Sequence, residues 1–231
     1  GRMVPGGVRL VSETLRATVL ISGNGSNLQA LIDAIEAGRL ELDINHVISN
    51  VASARGLERA AAAGIRTSVL EHNRFDKRDD FDAAMALLMA AGEPDLVILA
   101  GFMRIIGDAI LVPFEGRMIN LHPALLPKYR GVNTYQRAID AGDDIHGASI
   151  HFVTAELDGG PVISQVVIPI LPEDDAERLA ARLGPKEHEL VVATVEFFTR
   201  HRVECDGGSI TADGVLVEKP YLLQSDGTLG A

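Results

Sequence analysis

The sequence predicts an α/β chain: a doubly wound, mostly parallel sheet with helices on both faces and an antiparallel addition toward the C-terminus. Three observations predict it. Short apolar, β-branched runs alternate with stretches whose apolar residues recur at helical spacing, as in successive β-α units. The runs lack amphipathic alternation, as expected of strands buried on both faces. Two late runs are separated only by a short turn containing Asp158-Gly159-Gly160, too short for a crossover, so they pair antiparallel.

In chain order, Ala17 to Ile21 is the first strand, breaking into Ser22-Gly23-Asn24-Gly25-Ser26-Asn27. From Leu28, apolar residues at Leu31, Ile32 and Ile35 mark a helix that stops near Gly38. The pattern then repeats. Ile44 to Ile48 reads as strand, Gly56 to Ala63 as helix, Thr67 to Leu70 as strand, Asp79 to Ala91 as helix and Leu96 to Ala100 as strand. A short helical piece reaches about Val112, and Met118 to Leu121 is another strand. Pro123 and Pro127 turn the next segment into a loop, with a short helix over Tyr135 to Ala141. Ala148 to Thr154 and Val162 to Ile170 form the antiparallel pair. A helical pattern fills Asp174 to Thr199, and turn signals at Gly207-Gly208 and Asp213-Gly214 predict a hairpin tail. Without repeats or a linker, residues 16–231 read as one domain behind a loosely held arm at 1–15.

Composition narrows the function. A net charge of -11 over 231 residues, with no gathered Lys and Arg, argues against a nucleic-acid surface. Acidic runs such as Asp79-Asp80-Asp82 read as solvated helix faces. No apolar run reaches the roughly 18 residues of a membrane span. One cysteine, Cys205, rules out an internal disulfide, and the seven histidines show no metal-ligand spacing, so no metal is expected. His146, His151 and His188 read as structural or solvated. A cytoplasmic location follows from the reducing-compartment cysteine count.

Two stretches carry chemistry. The loop at Gly23 to Asn27 precedes a helix, whose free N–H groups and positive dipole end suit a phosphate; a plain turn would also want these glycines. It is neither a dinucleotide fingerprint nor a P-loop. Asn120 and His122 flank Leu121 at a strand end and so point to one side. An amide and an imidazole there suit a developing oxyanion, although a His before Pro also serves plain structure. Asp158 either caps its turn or, facing His122, favours the protonated, donating imidazole. No Gly-x-Ser-x-Gly elbow supports a covalent route.

Ile21 through Ala30, Ala100-Gly101-Phe102-Met103-Arg104, Ile119 through Pro127, and His151 through Ile163 together resemble the phosphoribosylglycinamide formyltransferases, a folate-dependent family, over roughly residues 17 to 200. The resemblance implies a Rossmann-like formyltransferase fold and direct attack of the amine of glycinamide ribonucleotide on 10-formyltetrahydrofolate. It implies no metal, and a monomer or weak homodimer. It makes Asn120, His122 and Asp158 catalytic. It assigns Gly25, Ser26, Asn27, Lys186 and Glu187 to the ribonucleotide. To the folate it assigns Arg78, Met103, Arg104, Ile105 and Ile106, with Asn120 and Thr154, Ala155, Glu156, Leu157 and Asp158. Folate hydrolases and tRNA-directed formyltransferases share this chemistry but usually carry an extra domain for which this chain leaves no room. Gly184-Pro185 departs from the family, and proline's missing N–H predicts that the helix restarts there.

Overall fold

The computed structural model describes residues 13–231. Its elements run β1 (Leu15–Ile21), α1 (Ser26–Glu36), β2 (Leu42–Ser49), α2 (Arg55–Ala62), β3 (Thr67–Val69), α3 (Arg78–Ala90), β4 (Leu96–Leu99), α4 (Asp108–Leu111) and β5 (Met118–His122). There follow α5 (Thr134–Asp140), β6 (Ile145–Phe152), β7 (Val162–Pro169) and α6 (Ala176–Arg200). The chain ends in β8 (Val203–Asp206), β9 (Ser209–Ala212), β10 (Val215–Leu216), β11 (Tyr221–Leu223) and β12 (Leu229–Gly230).

Six of the seven β1 residues are buried, which is why this strand reads as an unbroken apolar run. It lies parallel between β2 and β4, with β3 outside β2 and β5 outside β4. The chain lays down β1, β2 and β3 outward, then returns to place β4 on the other side of β1. That reversal creates a switch point, and the loops after β1 and β4 flank it. β6 joins β5 antiparallel, and β7 joins β6 antiparallel. Among the described residues the main sheet thus orders as β12-β11-β7-β6-β5-β4-β1-β2-β3.

Strand alternation sends side chains into two cores. Val19, Ile21, Ile98 and Ile119 pack with Leu28, Leu31, Leu183 and Leu190 from α1 and α6. Leu20, Ile48, Val97 and Met118 pack on the other face with Phe81, Met85 and Met89 of α3. Helices therefore cover both faces, as the sequence predicts.

Three local expectations change. α6 does not restart at Pro185; it runs unbroken through Gly184-Pro185. Proline still forfeits one helical N–H. Packing compensates on both flanks, since Leu179 and Leu183 before it and Leu190, Val191 and Thr194 after it are buried, and Thr194 shares a hydroxyl hydrogen bond with Ser164 of β7. Asp82 is not solvated. It shares the buried stripe of α3 with Phe81, Met85 and Met89 and is only 2% exposed. The tail contains the expected β9-β10 hairpin, but β8 pairs with it, and β11 and β12 return to extend the main sheet beside β7. Of the arm expected over 1–15, residues 1–12 lie outside the described residues, while Leu15 already pairs with Leu42.

Among the described residues no helix is long and apolar enough to cross a membrane, and no group of three His, Cys, Asp or Glu residues is placed to hold a metal ion.

Candidate active site

β5 ends at the switch-point edge of the sheet, and its pleat sends Asn120 and His122 to one face. The turn after β6 folds back over that face and brings Asp158 to them. Asp158 adopts a positive φ of 50°, and its Oδ2 accepts a hydrogen bond from the Gly131 N–H at 2.8 Å. Its other oxygen, Oδ1, lies 3.6 Å from His122 Nδ1. His122 Nε2 lies 2.8 Å from the Tyr129 carbonyl oxygen. A carbonyl only accepts, so Nε2 carries a proton and Nδ1 faces the Asp158 carboxylate. The amide, imidazole and carboxylate singled out in the sequence are therefore adjacent.

A fourth group joins them. His151 of β6 is the register partner of Asn120, and its Nε2 lies 3.2 Å from Asn120 Nδ2. His151 Nδ1 donates to the Phe152 carbonyl at 2.9 Å, and burial pushes its pKa down. The ring is therefore neutral with a bare Nε2, which accepts one Asn120 amide proton and leaves the other free. Sequence reading placed His151 among structural or solvated histidines. It is 2% exposed, and only the β5-β6 register reveals its neighbour.

At the end of β1, Gly25 caps α1 with φ +73° and no side-chain cap, so the N-cap residue leaves the first-turn N–H groups without a side-chain acceptor. α2 holds this loop. A Cβ on Gly25 would stand 2.7 Å from Gly56 Cα, and Gly56 N–H donates to the Gly23 carbonyl at 3.0 Å. Arg59 donates from Nε to the Asn24 carbonyl (2.7 Å), from Nη2 to Asn24 Oδ1 (3.0 Å) and from Nη1 to Gln29 Oε1 (3.3 Å). Sequence reading did not single out Arg59; it lies 35 residues from Asn24 and carries no local signal. Beside Ser26 opens a cavity of about 660 Å³ that Arg59, Arg39 and His188 help to line.

Glu187 of α6 meets this loop. It accepts from the Tyr135 hydroxyl at 3.2 Å and from the Asn27 side chain, while burial pushes its carboxyl pKa up. The Tyr135 phenol is raised in turn, by burial first and then by the Glu187 charge. Lys186 pairs with Glu189 at 3.1 Å, and Glu189 is itself among the residues lining the cavity beside Ser26.

On the other side of β5, the loop after β4 runs Met103 to Ile106. Met103 N–H donates to Ser22 Oγ at 2.8 Å, tying it to the glycine loop. Met103 and Ile105 are exposed, as is Leu157 across the site, and Ile106 packs on the α3 core. Arg78 Nη2 donates to the Ile105 carbonyl at 2.7 Å, and the Arg104 guanidinium stacks 4.6 Å above the Phe81 ring. In the turn after β6, Ala155 is exposed, Thr154 Oγ1 reaches the Glu156 carbonyl at 3.5 Å, and Glu156 pairs with Arg130 at 2.5 Å.

The family model described as "Formyl transferase" matches residues 15–195. The chain is 43% identical over 200 residues to phosphoribosylglycinamide formyltransferase of Escherichia coli (strain K12), covering 87% of this chain and 94% of that protein. It is 41% identical over 204 residues to the Haemophilus influenzae enzyme of the same name, covering 88% and 96%. A phosphoribosylglycinamide formyltransferase structure from Coxiella burnetii superposes with a TM-score of 0.84 at 44% identity, covering 89% of this chain and 96% of that one. The chain belongs to the formyl transferase family, and within it to the phosphoribosylglycinamide formyltransferases.

Proposed function

We propose that this chain transfers the formyl group of 10-formyltetrahydrofolate to the amine of glycinamide ribonucleotide, giving formylglycinamide ribonucleotide and tetrahydrofolate in purine biosynthesis. The observation that carries this reading is the junction of Asn120, His122 and Asp158 between a phosphate-type loop and an apolar, arginine-flanked wall.

On this reading the ribonucleotide phosphate sits on the N–H groups of Gly25, Ser26 and Asn27, and Glu187 accepts from the ribose hydroxyls. The co-substrate lies along Met103 to Ile106 and the Thr154 to Asp158 turn, with Arg78 and Arg104 near its far end. Lys186 serves the phosphate only through long-range charge, because its ammonium is already paired with Glu189. The amine attacks the formyl carbon, and negative charge gathers on the formyl oxygen. The free Asn120 N–H donates to that oxygen. The His122 Nε2–H also donates, since an oxyanion is a stronger acceptor than the Tyr129 carbonyl that holds it now. The attacking nitrogen sheds one proton to solvent, and N10 of the folate gains one before the C–N10 bond breaks; His122 gives its proton to N10 and takes one back from solvent, while the Asp158 carboxylate, 3.6 Å from Nδ1, holds the ring in place.

We take residues 16–231 as one domain because β11 and β12 of the tail extend the sheet that β1 begins. We assign the protein to the cytoplasm as a monomer or weak homodimer; sedimentation across a concentration series tests the assembly. For the reaction, protein is mixed with 10-formyltetrahydrofolate with and without glycinamide ribonucleotide, and tetrahydrofolate release is followed. Release only with the ribonucleotide supports transfer. Release without it supports hydrolysis, and silence leaves a binding module.

A further inference from the structure

Gln165 lies in the middle of β7, two strands from His122, and none of the chemistry above uses it. The register of β5, β6 and β7 links the two, since His122 pairs with Ser149 and Ser149 pairs with Gln165. Register partners on antiparallel strands point to the same face, so the three side chains stand in one row. The neighbouring partners Asn120 and His151 behave the same way.

The row is joined through the loop that follows His122. Gln165 Nε2 donates one proton to the Leu126 carbonyl at 3.0 Å and the other to Ser149 Oγ at 3.0 Å. The Ser149 hydroxyl is fully buried; it donates to the Ala124 carbonyl at 2.7 Å and accepts from the Leu126 N–H at 3.1 Å. It is thus saturated, with its proton given and both lone pairs filled. The loop also lies flush on these strands, since a Cβ on Gly147 would stand 1.9 Å from the Val166 carbonyl oxygen and 2.7 Å from Leu125 Cδ2. Beyond Leu126, the Tyr129 carbonyl takes the His122 Nε2–H and the Gly131 N–H reaches Asp158. The position of Leu126 therefore sets where this segment meets both side chains. An apolar residue would suit β7, where Ile163 and Val166 are buried, but it would leave the Leu126 carbonyl and one Ser149 lone pair unmet.

We propose that Gln165 is a positioning residue for formyl transfer: by fixing Leu126 and Ser149 it sets the direction in which His122 presents its Nε2–H. It touches no substrate. Its lever is geometric, because a reacting group displaced by about 1 Å can lose about a hundredfold in rate. The inference rests on the proposed function.

The test is Gln165→Met, which keeps the length of the side chain and removes both donors. kcat for transfer is expected to fall about 30-fold, while the KM values for glycinamide ribonucleotide and 10-formyltetrahydrofolate move less than about twofold. ¹⁵N NMR of the histidine rings reads the cause directly. In wild type His122 holds its proton on Nε2 and His151 holds its own on Nδ1. In Gln165→Met the His122 signal, assigned with His122→Asn, is expected to broaden and move toward mixed tautomers, with the His151 signal unchanged. An unchanged kcat, a KM rise shared by both substrates, or an unmoved His122 signal overturns the inference. Should Gln165→Met fail to fold, Gln165→Glu, which keeps the shape and loses the paired donor, takes the same measurements. Wild-type enzyme that transfers no formyl group sinks the proposed function instead, and the NMR comparison still decides whether Gln165 orients His122.

Discussion

Asn120 on β5 and His151 on β6 are register partners, with amide Nδ2 3.2 Å from ring Nε2. This contact decides which way the amide faces, because a neutral ring whose Nδ1–H is bound to the Phe152 carbonyl has only an acceptor to offer. His151→Phe keeps an aromatic ring but removes the acceptor and frees Asn120 to rotate. kcat is expected to fall about 30-fold, within the cost of misplacing one oxyanion donor, while the folded circular-dichroism spectrum persists. Steady-state kinetics check this; an unchanged kcat would show that Asn120 needs no such partner.

His46, His146 and His151 are buried, and desolvation lowers the pKa of each. Below about pH 6.5 the unfolded chain binds protons at these sites that the folded chain does not, so stability falls on acidification. Glu187 and Asp82, both raised by burial, act in the opposite sense. Urea unfolding is expected to give a lower free energy at pH 5.5 than at pH 7.5, with at most about 1.4 kcal/mol per pH unit per histidine. A flat or inverted profile contradicts the burial argument.

Arg59 reaches from α2 to the glycine loop at two atoms of Asn24 and to α1 at Gln29. Arg59→Met is expected to raise the KM for glycinamide ribonucleotide about tenfold and leave the KM for 10-formyltetrahydrofolate nearly unchanged, since one charged hydrogen bond is worth about 1.5–3 kcal/mol. Gly25→Ala is expected to be harsher, because its backbone is left-handed and Gly56 leaves no space. Initial-rate measurements with each substrate varied in turn separate the two effects.

In α6, Pro185 is exposed and interrupts one backbone bond, and a Cβ on Gly184 would meet nothing within 4 Å. Pro185→Ala is expected to stabilise the protein by about 2 kcal/mol and Gly184→Ala by about 1 kcal/mol. Denaturant midpoints check both; a loss of stability in either would mean that the helix needs its present local geometry.

The legibility of the fold followed burial. β1 and β4 are closed in on both faces, so their sequences are nearly unbroken apolar runs and their places are readable. Asn120 and His122 were readable as a pair because strand alternation puts residues i and i+2 on one side. His151 was not, because its meeting with Asn120 depends on the β5-β6 register, which periodicity alone does not determine. Asp82 was misread because it sits in an acidic run; the 100° step of the helix carries it onto the stripe of Met85 and Met89 while Asp79 and Asp80 stay in solvent. Pro185 misled in the other direction, since a local breaker lost to packing on both its flanks. Strands as short as β11 and β12 leave too few residues to show a period.

The central claim is that Asn120, His122 and Asp158 move a formyl group from folate to an amine. The most direct measurement supplies 10-formyltetrahydrofolate carrying a ¹³C-labelled formyl carbon together with glycinamide ribonucleotide, and follows the label by NMR. The expected result is one labelled formamide carbon on the ribonucleotide for each tetrahydrofolate released, with the signal abolished in Asp158→Asn. Label appearing as free formate, or transfer that survives Asp158→Asn undiminished, would contradict it.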